Sequence, residues 1–261
     1  MNDKLILSGG GAPKRRSPAL ATDFRGLLLL ASLVTLGLWY MPYSDYLLYP
    51  LRLFVTFIHE SGHAFAALIS GGDVKSLQIH TDGSGVTMTS EPFWSIWLVL
   101  SGGYLGTTLF GASMLQVGRF SHVRNVGKTT LYLIAGYLAL VTLLWGHNPF
   151  TLVAGIVLSA GLFALARFSP PRVAEFLAAF LAVQCCLNAL GDLRILLQIT
   201  SSGQGPDNDA LFMSQHYLLP PIFWALLWSA MALGMLTLSL WSYLRAAART
   251  TPKNPRALST L

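Results

Sequence analysis

Residues 57–72 read FIHESGHAFAALISGG, and this stretch decides how the rest of the chain is read. Phe57, Ile58, Ala64, Ala66, Ala67, Leu68 and Ile69 make it apolar enough to lie within a hydrophobic helix, yet it carries His59, Glu60 and His63. Residues four apart share one helix face, so both imidazoles can reach a single ion. Glu60 lies about 100° around the helix from His59, placed to accept a proton from a water held there. Two neutral imidazoles and one carboxylate suit zinc, with a fourth position left for water. The chain has only six histidines and few acidic residues. By chance, H-E-x-x-H should arise roughly twice in a thousand such chains. Ionisable groups inside an apolar segment are costly and mark function by default. The competing reading, in which they only bond neighbouring helices, explains neither the spacing nor the glutamate.

Outward from this stretch the chain is uniformly apolar. Of 261 residues, 53% are hydrophobic and 11% charged, less than half the charge of an average soluble domain. Apolar blocks run at about 25–42, 48–70, 92–117, 129–146, 149–167, 173–198 and 217–244, each near the length needed to cross a bilayer. The expected fold is an all-α polytopic membrane protein of about six to seven transmembrane helices. Residues 1–24 are expected to form a polar, basic, disordered tail, 25–244 the integral-membrane domain, and 245–261 a basic tail. No small-residue cleavage site follows the first block, so it reads as a retained segment. The net charge of +6 sits in short loops and at the ends, which suits membrane flanks rather than a nucleic-acid groove. Arg119, Arg124, Lys128, Arg167 and Arg172 mark one side as cytoplasmic. Cys185 and Cys186 are neighbours, and adjacent cysteines rarely bridge.

One interval is not helical. Residues 71–92, GGDVKSLQIHTDGSGVTMTSEP, alternate at Leu77 and Ile79, turn at Asp82-Gly83-Ser84-Gly85, and alternate again at Val86 and Met88. This predicts a β-hairpin over about 72–90. Beside a bilayer, its backbone amides must be kept from lipid, so it belongs in a protein-lined or wet site.

Two histidines do not complete a catalytic zinc shell. In AVQCCLNALGDLRILL, Gln184, Asn188 and Asp192 form a polar stripe, with Asp192 an acidic residue well inside a hydrophobic block. His63 lies about 12 Å before the end of its block and Asp192 about 9 Å before the end of its own. Four crossings separate the two blocks, so those ends emerge on one side and Asp192 is expected as the third ligand. Interhelical hydrogen bonding or pairing with Arg194 is the alternative use of this stripe. Gly102-x-x-x-Gly106 permits close helix approach. His80, in the hairpin, is the best spare histidine. His122, His147 and His216 read as residues near helix ends, and Pro206-Asp207-Asn208-Asp209 as a loop.

These motifs resemble the site-2 protease family of intramembrane zinc metalloproteases, particularly small bacterial-type members without an inserted extramembrane domain. In that family an H-E-x-x-H helix supplies two ligands and the base, a glycine-rich hairpin follows, and a later helix supplies an aspartate in an Asn/Pro-containing Leu-Asp-Gly motif. Residues 57–72 match the first and 71–88 the second. Residues 188–192 resemble the third, although Gly191 precedes Asp192 and the prolines are absent. The resemblance implies a zinc endopeptidase of the cell membrane, one ion per chain, that hydrolyses a peptide bond in or near a transmembrane segment of a membrane-protein substrate. His59, His63 and Asp192 would bind zinc, Glu60 would act as base, and Asn188 would bind the substrate or developing oxyanion. The expected partners are that substrate and the lipid bilayer, with no nucleic acid. A non-proteolytic zinc-binding scaffold or transporter is the alternative.

Overall fold

The helix carrying His59 is terminated by its own glycines. In the computed structural model, α1 spans Ser44–Ile69. Gly71 adopts φ +80°, while the Gly72 and Gly71 amides donate to the Ala67 and Leu68 carbonyls at 2.9 and 3.1 Å. This pair of bonds around a left-handed glycine closes the helix and turns the chain back. The structure describes residues 44–117, 125–202 and 208–249, with parts of 26–38. Within these, the side chains at 44–45, 188–202, 243–244 and 246–249 lie outside the description.

The turned-back chain forms the expected hairpin. Strand β1 (Asp73–Ile79) pairs antiparallel with β2 (Gly85–Ser90), Leu77 opposite Thr87 and Ile79 opposite Gly85. Gly83 takes φ +86° at the tip, a conformation that favours glycine. The Ser84 hydroxyl and amide donate to Asp82 Oδ1 at 2.7 and 2.9 Å, holding that carboxyl below its ordinary pKa and fixing the turn. Three side chains of α1 then fasten the tip. Tyr49 donates to the Thr81 carbonyl, Arg52 to Asp82 and Thr56 to Gly83, at 2.7, 3.4 and 2.9 Å. Spacings of three and four put them on one helix face, and Glu60 is the next position along it.

After a 3-10 turn at Phe93–Ser95 the chain continues through α2 (Ile96–Val117), α3 (Val126–Trp145), α4 (Pro149–Phe168) and α5 (Pro171–Ser202). A short helix α6 (Asp209–His216) and a long α7 (Pro221–Arg249) follow. Asn148 caps α4, its side chain accepting from the Thr151 amide at 2.7 Å with Pro149 in the first turn. The core joins Phe54, Phe57 and Ile58 of α1 to Leu77 and Ile79 of β1, Leu131 and Leu138 of α3, and Leu181 and Cys185 of α5. The hairpin is therefore part of the bundle. The outer edge of β1 is sealed, because Leu77 accepts from the His147 amide, the Ile79 amide donates to Thr151 Oγ1, and Asn148 Nδ2 donates to the Ile79 carbonyl. That satisfies the requirement that backbone groups be protected from lipid. Helical residues 29–35 join the bundle through Gln184, which donates to Thr35 Oγ1 at 2.7 Å.

Among the described residues, four helices are long and apolar enough to cross a membrane: Phe93–Val117, Val126–Trp145, Pro149–Phe168 and Pro221–Ser242. Val153, Ile156, Val157 and Phe163 of α4 are exposed, an arrangement suited to lipid and not to water. The expected count of six to seven spans is not confirmed; the described residues hold four candidates. Within α1, Arg52, His59, Glu60 and His63 dilute the hydropathy, and part of the 25–42 block lies outside the described residues. The 217–244 block opens later than expected, at Pro221, and α6 stands apart before it, starting inside the stretch read as a loop.

Close approach of α1 and α2 depends on glycine. A Cβ at Gly62 would collide with the Gly102 carbonyl oxygen, and one at Gly102 would lie 2.8 Å from both Ala66 Cβ and the Gly62 carbonyl oxygen. Gly106 continues the contact, where a Cβ would lie 3.2 Å from Gly62 Cα, so the small-residue stripe packs where small-xxx-small motifs predict. Gly62→Ala must push two backbones apart, and overpacking of this kind costs about 1–3 kcal/mol. Gly136 of α3 has open space around it. Thermal unfolding in detergent should show a lowered Tm for Gly62→Ala and an unchanged or raised Tm for Gly136→Ala.

Candidate metal centre

His59, Glu60 and His63 project from the middle of α1 where it crosses α2. His63 is buried, and its Nδ1–H donates to the Val99 carbonyl of α2 at 2.7 Å. That bond selects the tautomer in which Nε2 keeps its lone pair. His63 Nε2 lies 3.1 Å from His59 Nε2. The third member comes from α6: Asp209 Oδ2 is 3.2 Å from His59 Nε2 and 3.4 Å from His63 Nε2.

This convergence needs a cation or a proton, since three lone-pair donors facing one another repel. Four ligands at ordinary zinc distances, arranged as a tetrahedron, are about 3.3 Å apart along each edge. The triangle of two nitrogens and one oxygen matches one face of that tetrahedron. A Cβ on Gly103 would collide with the Nε2 atoms of both histidines, so the absence of a side chain there keeps open a cradle that an ion fits. His59 Nδ1 is buried without a hydrogen-bond partner among the described residues, so His59 lacks the orienting bond that His63 has. Its ring is instead held edge-on to Tyr104, centroids 4.7 Å apart, and Tyr104 stacks on Trp228 at 4.7 Å.

Asp209 reaches the site through the docking of α6. Asn208 caps this helix, accepting from the Leu211 amide at 3.0 Å. Ala210 and Met213 are fully buried against Tyr104 of α2 and Trp228 of α7, and Trp228 Nε1–H donates to Ser101 Oγ at 3.0 Å. Asp209, in the first turn, is thereby turned toward the imidazoles. Glu60 is also buried, and its Oε2 accepts from the Thr87 hydroxyl of β2 at 2.7 Å.

Of the residues singled out from sequence, His59, Glu60 and His63 meet at one place. Asn188 and Asp192 lie on α5, but their side chains fall outside the described residues. His80 is exposed near the hairpin tip, and His216 Nδ1 bonds the Phe212 carbonyl on its own helix. Neither belongs to the cluster, and neither does His147. His122 lies outside the described residues. Sequence reasoning missed Asp209. The available signal was Asn208-Asp209 as a capping residue plus acidic first turn, leading a short helix that cannot span a membrane.

The Gly103 cradle generates a prediction. Gly103→Ala puts a methyl group into the space between the two imidazole tips without adding a polar group, so the protein should fold and show a much lower zinc content than wild type on metal analysis. Full zinc occupancy in that variant would mean the ion sits elsewhere.

Residues 29–239 match the family model described as Peptidase M50B-like. No match emerged among curated proteins or among solved structures. The family match covers well over half of the chain, from the first apolar block to α7, and includes every residue of the cluster just described. The chain belongs to the Peptidase M50B-like family, the site-2 protease family of membrane metalloproteases.

Proposed function

We propose that this protein is a zinc-dependent intramembrane endopeptidase of the cell membrane, cleaving a peptide bond in or near a transmembrane segment of a membrane-protein substrate. The observation that carries this reading is the triangle of His59 Nε2, His63 Nε2 and Asp209 Oδ2 around the open space at Gly103. In this proposal those three residues hold zinc, Asp209 in the role expected of Asp192, and α1 lies within the bilayer alongside the four apolar helices. Bound there, zinc would supply Lewis-acid polarisation of the scissile carbonyl and lower the pKa of a water.

The protein's own residues do the rest. Val99 and Tyr104 hold the two imidazoles in register. Glu60 takes the attacking water's proton and returns it to the leaving amine. A substrate helix hides its carbonyls in internal hydrogen bonds and must unwind locally before attack. Because β1 is sealed by residues 147–151 and the described sheet has two strands, the far edge of β2 is the one that can receive an unwound strand by β-augmentation.

The test combines metal analysis with cleavage of a tagged single-span model protein. Wild type purified without chelator should hold one zinc per chain. His63→Ala and Asp209→Asn should lose it, and Asp192→Asn should keep it. Glu60→Gln should keep zinc, because no ligand is removed, yet lose cleavage, since general-base assistance is worth about 10²–10⁴-fold. Retained zinc in Asp209→Asn together with loss in Asp192→Asn would return the third position to Asp192. Equal cleavage by Glu60→Gln and wild type would favour a non-proteolytic scaffold.

A further inference from the structure

The hairpin touches the base as well as covering the helix. Thr87 Oγ1 lies 2.7 Å from Glu60 Oε2 and 3.0 Å from the Glu60 carbonyl oxygen. A hydroxyl has one hydrogen, and the shorter, charge-assisted bond to the carboxylate takes it. The other side of the carboxylate is walled by Gly85, where a Cβ would stand 2.7 Å from both Glu60 Cγ and Oε1. The Thr56 methyl closes on the same point. Glutamate has three side-chain torsions and loses considerable rotamer freedom when ordered. The facing strand supplies the hydrogen bond that orders it here.

From this we infer that Thr87 is a positioning residue for Glu60, holding Oε2 so that the carboxylate is oriented before substrate arrives. The inference rests on the proteolytic reading above. It assigns the hairpin a second task beside any pairing with substrate. The two tasks are separable, because Thr87 uses its side chain toward α1 while strand pairing uses backbone groups along the far edge of β2. Loss of the hydroxyl should therefore act on turnover and leave substrate binding alone.

The experiment uses the full chain in detergent with zinc, and a tagged single-span model protein as substrate. Thr87→Val keeps the shape and the β-branched strand preference but removes the donor. It should retain wild-type zinc and lower kcat by about tenfold or more, the loss expected for one bond to a charged group, with KM unchanged. Thr87→Ser restores the hydroxyl and should bring kcat back to within about threefold of wild type. A second readout does not depend on activity. Thr87→Val should lower Tm in the wild-type background and have a smaller effect in Glu60→Ala, where the partner is gone. Wild-type kcat in Thr87→Val, a loss confined to KM, a Thr87→Ser as impaired as Thr87→Val, or equal Tm effects in both backgrounds would each overturn the assignment. A wild type that holds zinc but cleaves nothing would overturn the proteolytic reading, while the Tm comparison would still report on the Thr87–Glu60 bond.

Discussion

Everything at the site depends on how closely α1 approaches α2. Gly62 and Gly102 let the two backbones meet where any side chain would strike a carbonyl oxygen. At that separation the Val99 carbonyl comes within hydrogen-bonding distance of His63, and Gly103 faces the imidazole tips without filling the space between them. Dispersion contacts at a glycine seam are individually small. Their value here is geometric, because a separation larger by one methyl group would break the His63 bond and misplace the pair of nitrogens. In a membrane, where burial from water does not drive helices together, such close packing is a principal source of association.

A second arrangement fixes the hairpin on the same helix. Tyr49, Arg52, Thr56 and Glu60 follow one face of α1, and each meets a successive part of the turn and β2. Three of these contacts bond backbone carbonyls of the turn, at Thr81, Asp82 and Gly83. The fourth reaches the carboxylate. The hairpin's placement and the orientation of Glu60 thus arise from one row of side chains. On the same face of the sheet, Leu77 and Ile79, paired across the strands with Thr87 and Gly85, are fully buried in the core, so the hairpin cannot lift away without opening the bundle.

Local pattern was a good guide wherever the relevant spacing lies within one element. The i, i+4 histidines, the Gly102-x-x-x-Gly106 stripe and the turn at Asp82-Gly83 all act over a few residues, so helix and strand periods suffice to read them. The number of membrane-crossing helices was less legible. Polar residues in α1 serve the site and the hairpin, and their presence lowers the hydropathy by which a span is recognised.

The sequence by itself determined the helical membrane class, the hairpin, the paired imidazoles and the carboxylate beside them, since each follows from residue type and short-range periodicity. Only the tertiary structure brought Asp209 next to them. Asp209 lies 150 residues from His59, and depth arithmetic along α5 carries no information about a short helix beyond it. What brings Asp209 into place is the burial of Ala210 and Met213 against Tyr104 and Trp228. That packing joins three separate elements, α2, α6 and α7, and no spacing within any one of them encodes it. The bond from Thr87 to Glu60 is of the same kind: each residue is ordinary in its own element, and the contact exists because a row of α1 side chains holds the strand against the helix.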